Sequence, residues 1–156
     1  MRYLTKILMI TVCLIALSGI AAACDVVECK SPGYWKNHPD DWPGETITIG
    51  CKDYNKEEAI EIMRTPVKGD KTYNMFNALV AAKLNINSGC CPPSCEIDII
   101  MEADRWMENN SLGSDVRASS DAWQKVFLYC GECTCCTTYP SGEAIYKKLD
   151  AFNNGY

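Results

Sequence analysis

Between Cys29 and Gly50 the chain reads Cys-Lys-Ser-Pro-Gly-Tyr-Trp-Lys-Asn-His-Pro-Asp-Asp-Trp-Pro-Gly-Glu-Thr-Ile-Thr-Ile-Gly, which holds two of the four tryptophans, the only histidine and three prolines. Pro32, Pro39 and Pro43 restrict the backbone at three places. A tryptophan or tyrosine ring buries roughly 150 to 250 Å², so Tyr34, Trp35 and Trp42 predict a stiff aromatic lid clamped onto the helices that follow.

The chain opens as an export signal. Arg2 and Lys6 make a basic start, Ile7 to Ile20 is an apolar run interrupted by Thr11, Ser18 and Gly19, and Ala21-Ala22-Ala23 supplies small residues for cleavage. The reading is a signal peptide over residues 1–23 and one helical, cysteine-rich domain over 24–156. The apolar run falls short of the about 20 residues a membrane span needs, which disfavours an uncleaved anchor. Cys24 directly after three alanines is a lipidation candidate, although Ala21 stands where lipoproteins usually carry leucine. Contact with a membrane is expected only through such a lipid or through an uncleaved leader.

Cysteine usage points the same way. Once Cys13 leaves with the signal, positions 24, 29, 51, 90, 91, 95, 130, 133, 135 and 136 remain, an even number that allows five bridges. Lipidation of Cys24 would leave one thiol over. In an exported chain such a set predicts a disulfide framework. The expected localisation is therefore extracellular or in the cell envelope. Removing Arg2 and Lys6 leaves 13 basic against 20 acidic residues. That balance argues against nucleic acid as a partner, because phosphate backbones reward clustered lysine and arginine.

The pattern predicts an all-α fold of about five helices with one short β-hairpin. Ile47 and Ile49 alternate with Thr46 and Thr48, giving the hairpin. Asn55 with Glu58 makes a capping-box start for a helix that Pro66 stops. Asp70 to Gly89 carries the widest apolar stripe, Met75, Leu79, Ala82 and Ile86 beside Phe76, Val80 and Leu84, and should be the central helix. Ser94 starts a helix that turns Ile97, Ile100, Met101, Ala103 and Met107 inward and ends at Asn109. Ser114 or Asp115 starts a fourth helix reaching Cys130. Cys130 to Gly142 reads as a loop, and Ser141 caps a last helix with Ile145, Leu149 and Phe152 on one face.

The run Gly33-Tyr34-Trp35-Lys36-Asn37-His38-Pro39, then Trp42-Pro43, Thr65-Pro66 with Gly69, Ala81-Ala82-Lys83-Leu84-Asn85 with Gly89, Ala103-Asp104 and Phe152-Asn153-Asn154-Gly155 resembles a module of exported bacterial and archaeal proteins. In that module a Gln-Gly-Tyr-Trp-Lys-Asn-His-Pro opening precedes an Ala-Ala-Lys-Leu-Asn helix and a terminal Tyr-Asn-Asn-Gly. The resemblance implies export and a helical domain, and brings no assigned activity with it. Here Pro32 replaces the glutamine and Phe152 the tyrosine. The segments Cys90 to Cys95 and Cys130 to Cys136 look like additions to the module.

Three chemistries are open to these residues. Tyr34, Trp35, His38, Asp40 and Trp42 form a candidate ligand surface, since rings beside carboxylates suit a glycan or protein face. That makes the chain a non-catalytic binding or structural domain whose partner is an extracellular polymer or protein. A rival is a zinc site of thiolates from Cys130, Cys133, Cys135 and Cys136, joined by Cys90, Cys91 and Cys95, whose spacing can reach one tetrahedral ion. The third is a hydrolase working through His38, but the nucleophile elbow Gly-x-Ser-x-Gly is missing and every cysteine is expected to be bridged. The likeness to the module carries no catalytic residue, and no motif implies a cofactor. Asn109-Asn110-Ser111 is a glycosylation sequon, with Asn109 the acceptor in a host that glycosylates exported proteins.

Overall fold

The computed structural model describes residues 27–90, 96–130 and 136–155. Cys24, Cys91, Cys95, Cys133, Cys135 and the proposed leader lie outside them, as does the predicted Ser94 cap. In chain order the elements are α1 (Pro32–Asn37), a 3₁₀ turn (Pro39–Asp41), β1 (Thr46–Ile49), β2 (Lys52–Asn55), α2 (Lys56–Arg64), α3 (Lys71–Asn87), α4 (Glu96–Asn109), α5 (Asp121–Gln124), β3 (Phe127–Tyr129), β4 (Thr137–Tyr139) and α6 (Gly142–Asn153).

This corrects the all-α expectation. The described residues hold six α-helices and two separate antiparallel hairpins. The first hairpin is the predicted one. The second falls where a fourth helix followed by a loop was expected, and only Asp121–Gln124 of that helix forms. Val126-Phe127-Leu128-Tyr129 is aromatic and apolar without helical spacing, and Thr137-Thr138-Tyr139 faces it, with Phe127 opposite Tyr139 and Tyr129 opposite Thr137. Such residues fit a pleated surface better than a helix. The Cys130–Cys136 bridge closes the hairpin beyond that pair. Three-residue strands are too short for alternation to announce them in a sequence.

Helix α3 is the axis. Asp70 caps its start by accepting from the Thr72 amide (2.9 Å) and hydroxyl (2.8 Å), and Met75, Phe76, Leu79, Val80, Ala81, Ala82 and Leu84 are buried along it. It packs against α6, α4, α1, α2 and β1. Apolar residues on several sides leave this helix little polar face, as expected for a central position. Helix α2 starts with the predicted capping box: Asn55 Oδ1 accepts from the Glu58 amide (2.8 Å) and Glu58 Oε2 from the Asn55 amide (3.0 Å). On α4 the buried face differs from the expectation: Ile99, Ala103, Trp106 and Met107 point inward, while Met101 is 49% exposed.

The β1–β2 hairpin turns on Gly50 and Cys51, both at positive φ (56° and 61°), the geometry of a two-residue turn matched to strand twist. Ile47, Ile49 and Tyr54 are buried from it. A Cβ on Gly50 would lie 2.9 Å from Met107 Cβ, so only glycine lets the turn rest on α4. Lys83 secures the same hairpin, donating to the Thr48 carbonyl (2.6 Å) and pairing with Asp104 (2.5 Å), whose other oxygen accepts from the Gly50 amide (3.0 Å). The Ala-Ala-Lys-Leu-Asn and Ala-Asp pieces of the sequence thereby meet on one strand turn.

Candidate functional site

Ser31 caps α1 through its side chain, accepting from the Tyr34 amide (3.2 Å), and Pro32 occupies the first turn, where its missing N–H is not needed. The run expected as a stiff aromatic lid is thus built on a short helix. It projects Trp35 inward and Tyr34 and His38 outward. A disulfide between Cys29 and Cys90 ties the segment before α1 to the end of α3.

The inward side is a continuous hydrogen-bond network. Trp35 Nε1 donates to Asn85 Oδ1 (3.0 Å), which also accepts from the Lys30 amide (2.7 Å). Asn85 Nδ2 donates to the Lys30 carbonyl (2.9 Å) and to Asn153 Oδ1 (2.9 Å), and Asn153 Nδ2 donates to the Ala78 carbonyl (2.9 Å). Trp42 Nε1 donates to the Trp35 carbonyl (2.9 Å). Asn85 and Asn153 are each 1% exposed. Unpaired buried amides cost a great deal, so a network this complete specifies one arrangement of α1, α3 and α6. Neither asparagine figured among the sequence-level candidates. The signal was there, an asparagine following the apolar stretch of α3 and another following Phe152 on α6, both on buried faces.

This arrangement corrects two of the candidate ligand residues. Trp35 is 3% and Trp42 7% exposed, so neither ring can stack on a sugar. The third aromatic of the motif has the opposite fate. Tyr34 is half-buried and stacks on the exposed imidazole of His38, ring centroids 4.1 Å apart and planes 14° from parallel. Its hydroxyl donates to Asp41, and that hydrogen bond, with partial desolvation, holds the phenol above its ordinary pKa. Lys30 Nζ lies 5.4 Å from the Tyr34 ring centroid and pairs with Glu28 (2.7 Å). Asp40 is exposed on the adjoining 3₁₀ turn. Beyond Pro39 an open groove of about 590 Å³ is lined by Lys56, Glu57, Ile60, Glu61 and Arg64.

His38 Nδ1 lies 2.9 Å from the Tyr34 carbonyl, which also accepts from the His38 amide (3.0 Å). The imidazole closes α1. Among the described residues no serine or cysteine side chain is hydrogen-bonded to it.

Of the proposed thiolate ligands, Cys91, Cys95, Cys133 and Cys135 lie outside the described residues, and the others are bridged. Cys130 is bonded to Cys136 and Cys90 to Cys29, and a sulfur in a disulfide carries no thiolate to offer a metal. Among the described residues no group of three or more His, Cys, Asp or Glu is placed to hold an ion. Cys51, expected to be bridged, is a free thiol exposed on the first hairpin turn. Local desolvation and the neighbouring Glu108 push its pKa up, which disfavours the thiolate. Asn109 is exposed at the last residue of α4.

Two disulfides are the mark of an oxidising, extracellular-type compartment. Among the described residues no helix is long and apolar enough to cross a membrane. No protein-family model matches the chain, and neither the curated proteins nor the solved structures hold a significant match.

Proposed function

We propose that the protein is an exported, non-catalytic binding domain of the cell envelope or extracellular space; its likeness to the Gly-Tyr-Trp-Lys-Asn-His-Pro module supports the export alone. Its recognition surface is the ledge of Tyr34, His38, Asp40 and Asp41, and its partner is an extracellular polymer. One observation carries this reading: the motif buries two rings and leaves the Tyr34–His38 pair on the outside, already stacked. A ring pair held in place by a capped helix, with Trp35 anchored to Asn85 beneath it, loses little freedom when a ligand arrives. The flanking carboxylates and the ammonium of Lys30 supply the polar contacts a glycan needs beside a stacking face.

The test is co-sedimentation of the oxidised mature protein with insoluble envelope polysaccharide from its source organism. Binding that falls at least tenfold in Tyr34→Ala/His38→Ala, with an unchanged melting temperature, supports the reading. Equal sedimentation of the two proteins, or of neither, overturns it. A hydrolytic product released from the polysaccharide and abolished by His38→Ala would replace binding with catalysis.

A further inference from the structure

We infer that Asn109 is an acceptor for an N-linked glycan, carried at the pole of the molecule opposite the Tyr34–His38 ledge. The sequon Asn109-Asn110-Ser111 straddles the point where α4 stops. Asn109 is exposed, and its side chain makes no hydrogen bond to another described residue. Its neighbour differs: Asn110 Nδ2 donates to the Trp106 carbonyl (2.9 Å) and is engaged in closing the helix. Ser111, the hydroxyl residue two positions on, is also exposed, in a turn closed by the Ser114 amide donating to the Ser111 carbonyl (3.1 Å). Gly113 in that turn sits at φ 81°, so the chain reverses at once. Acceptor and hydroxyl thus stand together at a helix end, where the last turn frays most readily. One turn back, the fully buried Trp106 anchors the helix, so fraying at Asn109 leaves the core intact.

The chemistry is a group transfer from a sugar donor carried on a lipid (pyro)phosphate. A bond forms from Asn109 Nδ2 to the anomeric carbon, the bond from that carbon to the phosphate oxygen breaks, the lipid phosphate leaves with the electron pair, and Nδ2 gives up one proton. Ser111 supplies the hydroxyl that the transferring enzyme recognises.

The fold decides where the glycan stands. The turn after Asn109 is fastened to the first turn of α3, the Gly113 amide donating to Thr72 Oγ1 (2.9 Å). The ledge is fastened to the last turns of α3, through Lys30, Trp35 and Asn85. Thr72 and Asn85 are about 20 Å apart along the helix at about 1.5 Å per residue. A glycan on Asn109 therefore leaves the ledge uncovered.

The experiment is mass spectrometry of the tryptic peptide Trp106–Arg117 from protein isolated from its natural source. The expected peptide is heavier than its sequence by a sugar series, with the modification fragmenting to Asn109. It is lost in Asn109→Gln and in Ser111→Ala and kept in Asn110→Gln, because the last change preserves the sequon. An unmodified peptide, a sugar mapped to another residue, or a modification that survives Ser111→Ala overturns the inference.

Discussion

The side-chain amides of Asn85 and Asn153, 68 residues apart in sequence, meet at 2.9 Å in the core, Asn85 Nδ2 donating to Asn153 Oδ1. Through that bond the opening aromatic motif, the central helix and the end of the last helix become one polar unit, since Asn85 also receives Trp35 Nε1. The segments that stand out in the sequence are joined for an architectural reason.

Asn85→Ala should lower stability by about 3 kcal/mol, because it strands the buried indole N–H of Trp35 and the carbonyl of Asn153 together. Urea denaturation measures this as a fall in the midpoint. The double change Asn85→Ala/Asn153→Ala should cost less than the two single changes added, by about 0.5 to 3 kcal/mol, the signature of residues in one network. Additive losses would separate them.

Trp35→Ala should cost about 3 to 5 kcal/mol by opening a cavity under α1. Trp35→Phe keeps most of the volume and removes the N–H donor, so its loss should be clearly smaller. An unchanged melting temperature for Trp35→Ala would place the ring outside the core.

Asp70 gives the fold an acid limit. Burial alone would raise its pKa, but hydrogen bonds from the Thr72 amide and hydroxyl and from the Asp115 and Val116 amides outweigh it, so the folded value lies below the ordinary 3.8. A depressed carboxylate contributes stability that is fully present above the unfolded pKa and is lost as pH falls through the folded one. Stability should therefore drop as pH is lowered from about 4, and Asp70→Asn should flatten that part of the curve. A drop of the same size in the variant would point to other carboxylates.

The two bridges should differ in weight. Cys29 and Cys90 are separated by 61 residues and Cys130 and Cys136 by 6. Loop-closure entropy then assigns about 4 kcal/mol to the first and about 2 kcal/mol to the second. Cys29→Ser/Cys90→Ser should melt at a distinctly lower temperature than Cys130→Ser/Cys136→Ser, as calorimetry of the two variants would report.

What the sequence determined on its own are the features that local chemistry specifies. The Asn55–Glu58 capping box, the Asp70 cap, the alternating Ile47 and Ile49 and the stripe along 70–89 each depend on neighbours within a few residues, and all stand in the structure where the pattern put them. The burial of Trp35 and Trp42 was legible as a clamped lid, but the outward turn of Tyr34 was not, because which side of a six-residue helix faces inward depends on Asn85, 50 residues away. The same holds for the second hairpin, whose strands are held by pairing beside the Cys130–Cys136 bridge, and for the pairing of Cys29 with Cys90. Tertiary structure decided these, since a hydrogen bond or disulfide between distant residues leaves no periodicity in the chain.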